Sequence, residues 1–185
     1  GGQFVAVLGP NGAGKSTLLR ALAGLIPHEG RVTIAGREAA RLSRGARALA
    51  MSYLPQGHVA HWPLTVFEVV ALGRFPHGVA DPARMGEADR AIVEAALERT
   101  DAARFAARRI SELSGGERAR VALARVLAVE APILLADEPT AALDPRYQLD
   151  LMQRLKAEAA NGALVLAVTH DLGLAARFAD RVLML

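Results

Sequence analysis

A glycine-rich run around one lysine and two hydroxyls is the part of this sequence best equipped for chemistry. The run is Gly9-Pro10-Asn11-Gly12-Ala13-Gly14-Lys15-Ser16-Thr17, which fits the pattern G-x-x-x-x-G-K-[ST]. Glycines allow the backbone to curve into a nest whose N–H groups point at an anion. Lys15 would then reach the β- and γ-phosphates of a nucleotide, and the Ser16 hydroxyl would bind Mg²⁺. The alternative is a turn that binds nothing, but packing gives no reason for a lysine and a hydroxyl at these positions.

Two acidic residues later in the chain suit the same chemistry. Asp137 and Glu138 follow the apolar run 133–136, so they are expected at the carboxyl end of a buried strand, where open α/β sheets bind their ligands. Asp137 suits Mg²⁺, directly or through water, and Glu138 suits a base that orients a water molecule. The alternative is a pair of surface acids in a loop.

A second possible anion site lies between these two stretches. Ser114 and Glu117 flank Gly115 and Gly116, and serine followed three residues later by glutamate is a capping box that predicts a helix start. The N-terminus of a helix can receive an anion. The spacing alone fits an ordinary glycine-rich cap equally well.

Alternating strands and helices must position these groups. The apolar runs 4–8, 133–136 and 163–168 predict buried strands, and 31–36 and 182–185 predict two more. Leu18, Leu19, Leu22 and Leu25 predict a helix behind the glycine-rich run with one packed face. Between 63 and 128 the pattern is mainly helical, with helices expected from Thr65 to about residue 73, after Asp81-Pro82, and over 100–109. We therefore expect a parallel sheet covered by helices, with a helical block inserted.

The bulk composition excludes several classes of protein. The 185 residues are 52% hydrophobic with a mean hydropathy of +0.22, which argues against disorder. There is no cysteine, and no uninterrupted apolar run approaches the ~18 residues of a membrane span. The net charge is +3, but the arginines are spread out and are not interleaved with stacking aromatics, so no nucleic-acid partner is expected.

Taken together, these residues resemble the nucleotide-binding subunit of an ABC transporter, and the resemblance covers nearly the whole chain. The matching segments are 9–17 (Walker A), Gln56 (Q-loop), 113–117 (the LSGGE signature), 133–138 (Walker B with its glutamate), Ala142-Leu143-Asp144 (D-loop) and His170 (switch histidine). The order of these motifs is far more specific than a phosphate-binding loop alone.

The resemblance implies an α/β fold with a P-loop NTPase (RecA-like) core and a mostly parallel sheet. It also implies a partial antiparallel β lobe and an inserted α-helical subdomain. On this basis residues 1–185 form one ABC ATPase domain, with the core at 1–62 and 129–185 and the helical subdomain at 63–128. The family's adenine-stacking aromatic residue lies upstream of the first strand, so we expect a domain truncated at both ends.

The resemblance also implies ATP and Mg²⁺ as ligands and assigns roles to matching residues. Lys15, Gln56, Glu138 and His170 would be catalytic, with Glu138 polarising the attacking water and His170 contacting the γ-phosphate. Ser16, Gln56 and Asp137 would serve the metal. Ser114, Gly115, Gly116 and Asp144 would contribute to nucleotide binding, the first three by contacting ATP held by a second copy in a head-to-tail homodimer.

The segment 65–77, TVFEVVALGRFPH, resembles the subgroup that serves uptake of iron–siderophore complexes, haem and cobalamin. This implies a transmembrane permease and an extracytoplasmic substrate-binding protein as partners, and a peripheral location on the cytoplasmic face of the cell membrane. His58, His61 and His77 are interpreted as surface residues and not as ligands of the cargo.

Two alternative functions are opposed by features of the sequence. One is a soluble ABC-class ATPase that acts on nucleic acid or ribosomes; the segment between Gln56 and Ser114 has neither heptads nor cysteines, which argues against the coiled-coil and zinc insertions typical of that class. The other is a regulator that binds nucleotide without hydrolysing it, which the presence of Glu138 and His170 opposes.

Overall fold

The computed structural model describes residues 2–57, 63–141 and 143–185. His58, His61 and Ala142 therefore lie outside the described residues. The helices are α1 (Lys15–Ala23), α2 (Arg44–Ala50), α3 (Val66–Ala71), α4 (Glu87–Arg99), α5 (Gly115–Leu127), α6 (Pro145–Ala160) and α7 (Leu172–Phe178). The strands are β1 (Gln3–Leu8), β2 (Thr33–Ile34), β3 (Arg37–Glu38), β4 (Met51–Leu54), β5 (Ile133–Asp137), β6 (Leu164–Val168) and β7 (Arg181–Met184).

Five of these strands form a parallel sheet in the order β4-β5-β6-β1-β7. Val168 of β6 lies opposite both Val7 of β1 and Asp137 of β5. The three central strands therefore end at the same level, and whatever follows each of them meets at one edge of the sheet. This is the edge at which open α/β sheets bind their ligands.

The central strands β5, β6 and β1 are largely buried on both faces, as their aliphatic residues require, whereas the edge strand β7 is exposed. On one face a large apolar cluster joins the sheet to the helical block through fully buried residues such as Phe4, Leu54, Leu123 and Met152. On the other face Leu19 of α1 packs with Val7, Leu135 and Val168. The short strands β2 and β3 pair antiparallel in a separate sheet. The mostly parallel sheet with a small antiparallel partner confirms these features of the expected fold.

The helical block contains the predicted capping box at Ser114 and a second one at Thr65, where a helix start is expected. At the start of α3 the Thr65 hydroxyl accepts from the Glu68 N–H (3.3 Å), and the Glu68 carboxylate accepts from the Thr65 N–H (2.7 Å). Ser114 and Glu117 form the same reciprocal pair at the start of α5, at 3.3 and 2.8 Å. An antiparallel bridge between Thr65 and Arg109 ties the entrance of α3 to the chain before α5. The sequence therefore predicted both helix starts correctly.

Several predicted boundaries were wrong. The helix expected directly after Asp81-Pro82 begins only at Glu87, because the Asp81 side chain accepts from the Ala83 N–H and closes a separate 3-10 turn. The stretch 100–109 holds only the short 3-10 helix Ala103–Phe105, since Asp101 adopts a left-handed φ of 53° that no α-helix accommodates.

Three further differences concern helix and strand ends. The helix from Thr65 stops at Ala71 and continues as a 3-10 helix, Leu72–His77, which contains Pro76. Leu25 is 60% exposed, not packed, because α1 ends at Ala23 and the left-handed Gly24 turns the chain away. Of the strand expected over 31–36, only Thr33 and Ile34 pair.

No helix in the described part of the chain has both the length and the apolar composition needed to cross a membrane. The division into a core at 1–62 and 129–185 and a helical subdomain at 63–128 stays a prediction, because the large apolar cluster runs continuously through both parts.

Candidate active site

The glycine-rich run connects β1 to α1 and lies at the carboxyl edge of the sheet. Gly9, Gly12 and Gly14 have φ values of 150°, 83° and 94°, which place them where side-chain-bearing residues are rare. A Cβ at Gly12 or Gly14 would meet nothing within 4 Å, so the loop is open on that side. Gly14 caps α1 without any side-chain hydrogen bond. The first N–H groups of α1 therefore have no side-chain acceptor at the cap and can bind an anion.

Lys15 brings the positive charge of this loop. Its side chain is only 5% exposed, and its ammonium donates to the carbonyl oxygens of Gly9 (3.0 Å) and Pro10 (2.9 Å). An ammonium is always a donor, so two carbonyl acceptors hold it over the loop without cancelling its charge. The loop and Lys15 together therefore form a concave, positively charged surface that suits phosphate.

Asp137, the last residue of β5, is completely buried. One carboxylate oxygen, Oδ1, accepts from the Ser16 hydroxyl at 2.7 Å, and the other, Oδ2, accepts from the Tyr53 hydroxyl at 2.9 Å. The alternative interpretation of Asp137, a surface acid in a loop, is therefore wrong. The structure instead brings together two of the three residues predicted to serve a metal, since Ser16 and Asp137 are in direct contact.

Sequence reasoning missed Tyr53. It lies on β4, next to β5 in the sheet, with Leu135 as its direct partner. Burial raises the pKa of Tyr53 above its ordinary value of 10.0, while a hydrogen bond from Arg20 opposes that rise. Tyr53 therefore stays protonated near neutral pH and can donate to Asp137. The alternation of the four-residue strand Met51–Leu54 could have indicated it, because it points Tyr53 to the face of the sheet that α1, the helix of Ser16, covers.

Glu138 lies one residue beyond β5 and is contacted by two of the other predicted catalytic residues. Gln56 Nε2 donates to Glu138 Oε2 at 2.6 Å, and His170 Nε2 lies 2.6 Å from Oε1. Glu138 has a φ of 47°, which costs a residue other than glycine on the order of 1–3 kcal/mol. Gln56, Glu138 and His170 come from three different strand ends, and only the sheet register brings them together.

The structure places Ser114, Gly115 and Gly116 at the N-terminus of the 13-residue helix α5, with Ser114 and Gly115 exposed. Among the residues that the structure describes, no hydrogen bond links them to the 9–17 loop, to Asp137 or to Glu138. A Cβ at Gly116 would lie 2.8–3.0 Å from the ring of Tyr147 on α6. Gly116 is therefore needed for the close approach of α6, a contact that the sequence did not predict.

Asp144 is exposed and occupies the N-cap position of α6, but its side chain makes no capping hydrogen bond. Its carboxylate thus remains open to other partners. His77 is also exposed, with Nε2 2.9 Å from the carbonyl oxygen of Val129, which confirms its interpretation as a surface residue.

The donor set near the loop fits a magnesium ion that is shared with a nucleotide. Mg²⁺ prefers oxygen ligands and commonly takes one or two from the protein, with phosphate and water oxygens completing its shell. The Ser16 hydroxyl and the Asp137 carboxylate are such oxygens and are in contact. Among residues 2–57, 63–141 and 143–185, no group of three or more His, Asp or Glu side chains could hold a metal ion unaided, so phosphate oxygens would have to contribute.

Comparison with known proteins gives one consistent result. The sequence profile of the family described as "ABC transporter" matches residues 1–141. The chain is 51% identical, over its full length, to the hemin import ATP-binding protein HmuV of Streptomyces coelicolor, of which it covers 65%. It is 46% identical, over 99% of its length, to the cobalamin import ATP-binding protein BtuD of Halobacterium salinarum, of which it covers 46%. The chain thus spans between about half and two thirds of these two relatives.

A solved structure agrees with these sequence matches. The ATP-binding cassette MJ0796, in a dimeric post-hydrolysis state bound to ADP and Pi, is 36% identical and superposes with a TM-score of 0.84 over 99% of this chain and 81% of that one. This confirms the P-loop NTPase architecture expected from the sequence. With three quarters of its residues matched by the family profile, this chain belongs to the ABC transporter family.

Proposed function

We propose that this chain binds and hydrolyses ATP. The observation that carries this proposal is the meeting of four strand ends, those of β1, β4, β5 and β6, at one edge of the sheet. There the buried Lys15 lies on the loop, Ser16 contacts Asp137, and Glu138 contacts Gln56 and His170. A phosphate-binding loop, a pair of metal-binding oxygens and a water-orienting carboxylate are the parts that phosphoryl transfer to water requires.

The chain's own residues divide the work of hydrolysis. The 9–17 loop and the N-terminus of α1 bind the phosphates through backbone N–H groups, and Lys15 adds its charge near the β- and γ-phosphates. Glu138 orients and polarises the attacking water, and His170 stabilises the γ-phosphate. Gln56 bonds to Glu138 here, so Glu138 has to exchange the Gln56 and His170 contacts for the water. Catalysis then rests on positioning and charge stabilisation.

Ser16 and Asp137 would hold Mg²⁺, with Gln56 as the third candidate. Bound there, the ion would supply positive charge that offsets the negative charge building up during transfer. The chain's part is to keep Asp137 buried and aimed at Ser16.

Two copies of the chain are needed for a complete site under this proposal. Ser114 and Gly115 are exposed at a helix N-terminus with Gly116 partly buried behind them, and within the described chain none of the three bonds to the other candidate residues. A helix N-terminus without an anion of its own suits the γ-phosphate of ATP held by a second, head-to-tail copy. The similar cassette MJ0796 is dimeric with ADP and Pi bound, which supports dimer formation by this chain.

We further propose that the chain powers uptake of a metal chelate, such as haem, an iron–siderophore complex or cobalamin. Support comes from the 65–77 segment and from the names of the two import relatives. The proposal implies a transmembrane permease and an extracytoplasmic substrate-binding protein as partners, and a peripheral position on the cytoplasmic face of the cell membrane. The helical block, 63–128, would contact the permease.

The variant Glu138→Gln tests the hydrolytic part. It keeps the size of the side chain but removes the carboxylate, so ATP should still bind while turnover falls by at least about a hundredfold, the lower range for loss of a catalytic base. Turnover is measured as phosphate release with saturating Mg²⁺-ATP. Glu94→Gln, which alters an exposed carboxylate on α4, is the matched control and should turn over at the wild-type rate.

A Glu138→Gln variant with undiminished phosphate release would remove Glu138 from the mechanism. A wild-type chain that binds no ATP would remove the whole proposal. Copurification with nucleic acid, in place of a hydrophobic permease, would favour the alternative class of soluble ABC ATPases.

A further inference from the structure

We propose that Tyr53 is a positioning residue that fixes the rotation of the Asp137 carboxylate and thereby sets the affinity of the site for Mg²⁺. The inference rests on the proposed function, because it deepens the role of Asp137. None of the motifs of this site includes Tyr53.

The first support is the way in which the Asp137 carboxylate is shared. The residue has no exposure to solvent, so each of its oxygens depends on a protein donor. Tyr53 satisfies Oδ2 at 2.9 Å and Ser16 satisfies Oδ1 at 2.7 Å. With Oδ2 held by the phenol, Oδ1 is the oxygen turned toward Ser16 and the phosphate-binding loop.

The sheet explains why a tyrosine on β4 reaches this carboxylate. Tyr53 lies directly opposite Leu135, and directly opposed residues of neighbouring strands point to the same face. Leu135 and Asp137 are two residues apart and therefore share that face. The Tyr53 ring also packs against the small apolar cluster beneath α1. Its position is thus fixed by packing before any metal or nucleotide arrives.

The second support is that the phenol has only one proton to give. The guanidinium of Arg20 on α1 interacts with the phenol oxygen and opposes the rise in the pKa of Tyr53, and a guanidinium has no acceptor for the phenol proton. The single proton of the phenol therefore goes to Asp137. Tyr53 and Ser16 thus donate to the two different oxygens of one carboxylate at the candidate metal position.

Such outer partners orient metal-binding carboxylates, and their loss commonly costs ten- to a hundredfold in metal affinity. Without the phenol, the buried Oδ2 would lack a donor, and Asp137 would rotate to share Ser16 between both oxygens. The simpler reading is that Tyr53 only fills space on the apolar face. That reading predicts an effect on stability and none on Mg²⁺.

The test is Tyr53→Phe, which keeps the ring and removes the hydroxyl. ATP binding is measured by calorimetry at a series of Mg²⁺ concentrations and in EDTA. Mg²⁺ raises the affinity for ATP, and we expect the Mg²⁺ concentration at which half of this gain is reached to increase about tenfold in Tyr53→Phe. The affinity for ATP in EDTA should stay at the wild-type value. Tyr147→Phe, which removes the hydroxyl of the only other tyrosine in the sequence, is the matched control and should leave the Mg²⁺ dependence unchanged.

Three outcomes in the variants would overturn the proposal. They are an unchanged Mg²⁺ dependence in Tyr53→Phe, an equal loss of ATP affinity with and without Mg²⁺, and an equal shift in Tyr147→Phe. A wild-type affinity for ATP that does not depend on Mg²⁺ would also overturn the proposal, although nucleotide binding itself would remain supported. If Tyr53→Phe does not fold, the exposed Arg20→Leu variant decides instead, because it should weaken Mg²⁺ binding in the same direction with the tyrosine in place.

Discussion

At the scale of single residues, charge at the candidate site is paired with donors and acceptors of the chain itself. Lys15 bonds to two loop carbonyls, Asp137 to two hydroxyls and Glu138 to an amide and an imidazole. Each pairing occupies atoms that phosphate, metal or water would use. Ligand binding must therefore exchange contacts already made, and removing one partner leaves a charge without its counterpart.

The Lys15→Ala variant should weaken ATP binding about ten- to a hundredfold, because hydrogen bonds to charged groups are worth about 1.5–3 kcal/mol. Isothermal titration with Mg²⁺-ATP measures the loss. The control is Lys156→Ala, which removes the only other lysine, a partly exposed one that pairs with Asp180 on the surface. Equal affinities of Lys15→Ala and the wild type for ATP would take Lys15 out of the site.

Residue types at the site could be inferred from sequence far better than their partners. Lys15, Ser16, Asp137 and Glu138 stand out because their chemistry has no packing explanation. Tyr53 and Tyr147 do not, because an aromatic residue in an apolar strand or helix has an ordinary role in the core. What distinguishes them is a contact across the fold, with Asp137 and Gly116 respectively, and such contacts depend on register, not on local sequence.

At the scale of elements, a capping box stabilises the start of both α3 and α5. Hydrogen bonds from the backbone of Thr65 and of Ser114 are the first cause that lowers the pKa of Glu68 and Glu117 below the ordinary value of 4.5. A group whose pKa is lowered by folding stabilises the fold above its ordinary pKa. That contribution is lost as the pH falls through the lowered value.

The stability advantage of the wild type over Glu68→Gln should therefore shrink between about pH 5 and pH 3, since only the wild type loses a carboxylate there. Urea unfolding at several pH values measures it. Glu94→Gln, whose carboxylate is exposed on α4, serves as the control and should show a smaller pH dependence. An advantage that grows toward low pH would contradict the assigned cap.

Hydrogen bonds of Arg74 and close packing at Gly73 link the 3-10 helix Leu72–His77 to the end of α5. The buried Arg74 donates to Asp89 (2.8 Å), Glu130 (2.9 Å) and the carbonyl of Ala128 (2.8 Å). Gly73 packs so closely that an added Cβ would lie 2.3 Å from the carbonyl oxygen of Arg125. The contact is with backbone, which cannot move aside as a side chain would.

Gly73→Ala should accordingly destabilise the chain by about 1–3 kcal/mol, the usual cost of overpacking. Each kcal/mol lowers the melting temperature by about 2–4 °C in a chain of this size, which calorimetry detects. Gly45→Ala is the matched control, because a Cβ there meets nothing within 4 Å on α2 and alanine favours a helix. A melting temperature of Gly73→Ala at or above that of the wild type would contradict this packing.

Helix and strand types were predictable where capping and periodicity agreed, as at Thr65, Ser114 and the apolar strands. The predictions failed where a local hydrogen bond or a single backbone angle decides. Asp81 closes its own short turn and Asp101 takes a left-handed φ, although the alanine- and arginine-rich sequences around them favour helix. These outcomes depend on a few tenths of a kcal/mol per residue, which composition does not resolve.

At the scale of the whole molecule, we propose that one chain holds half of each active site. The 9–17 loop, Asp137, Glu138, Gln56 and His170 meet at one edge of the sheet. Ser114–Gly116 lie at the start of a different helix, and in the described part of the chain the Ser114 side chain bonds only within its own cap. ATP bound by the loop of one copy would then be closed over by the exposed helix start of another.

The most direct measurement is the mass of the ATP-bound chain in light scattering, using Glu138→Gln to prevent hydrolysis. With Mg²⁺-ATP, Glu138→Gln should run as a dimer. The double variant Glu138→Gln/Ser114→Arg should bind ATP with nearly the same affinity but remain a monomer, because arginine fills the exposed helix start that would meet the partner's phosphate. A double variant that still dimerises, or that loses ATP binding as a monomer, would contradict the account.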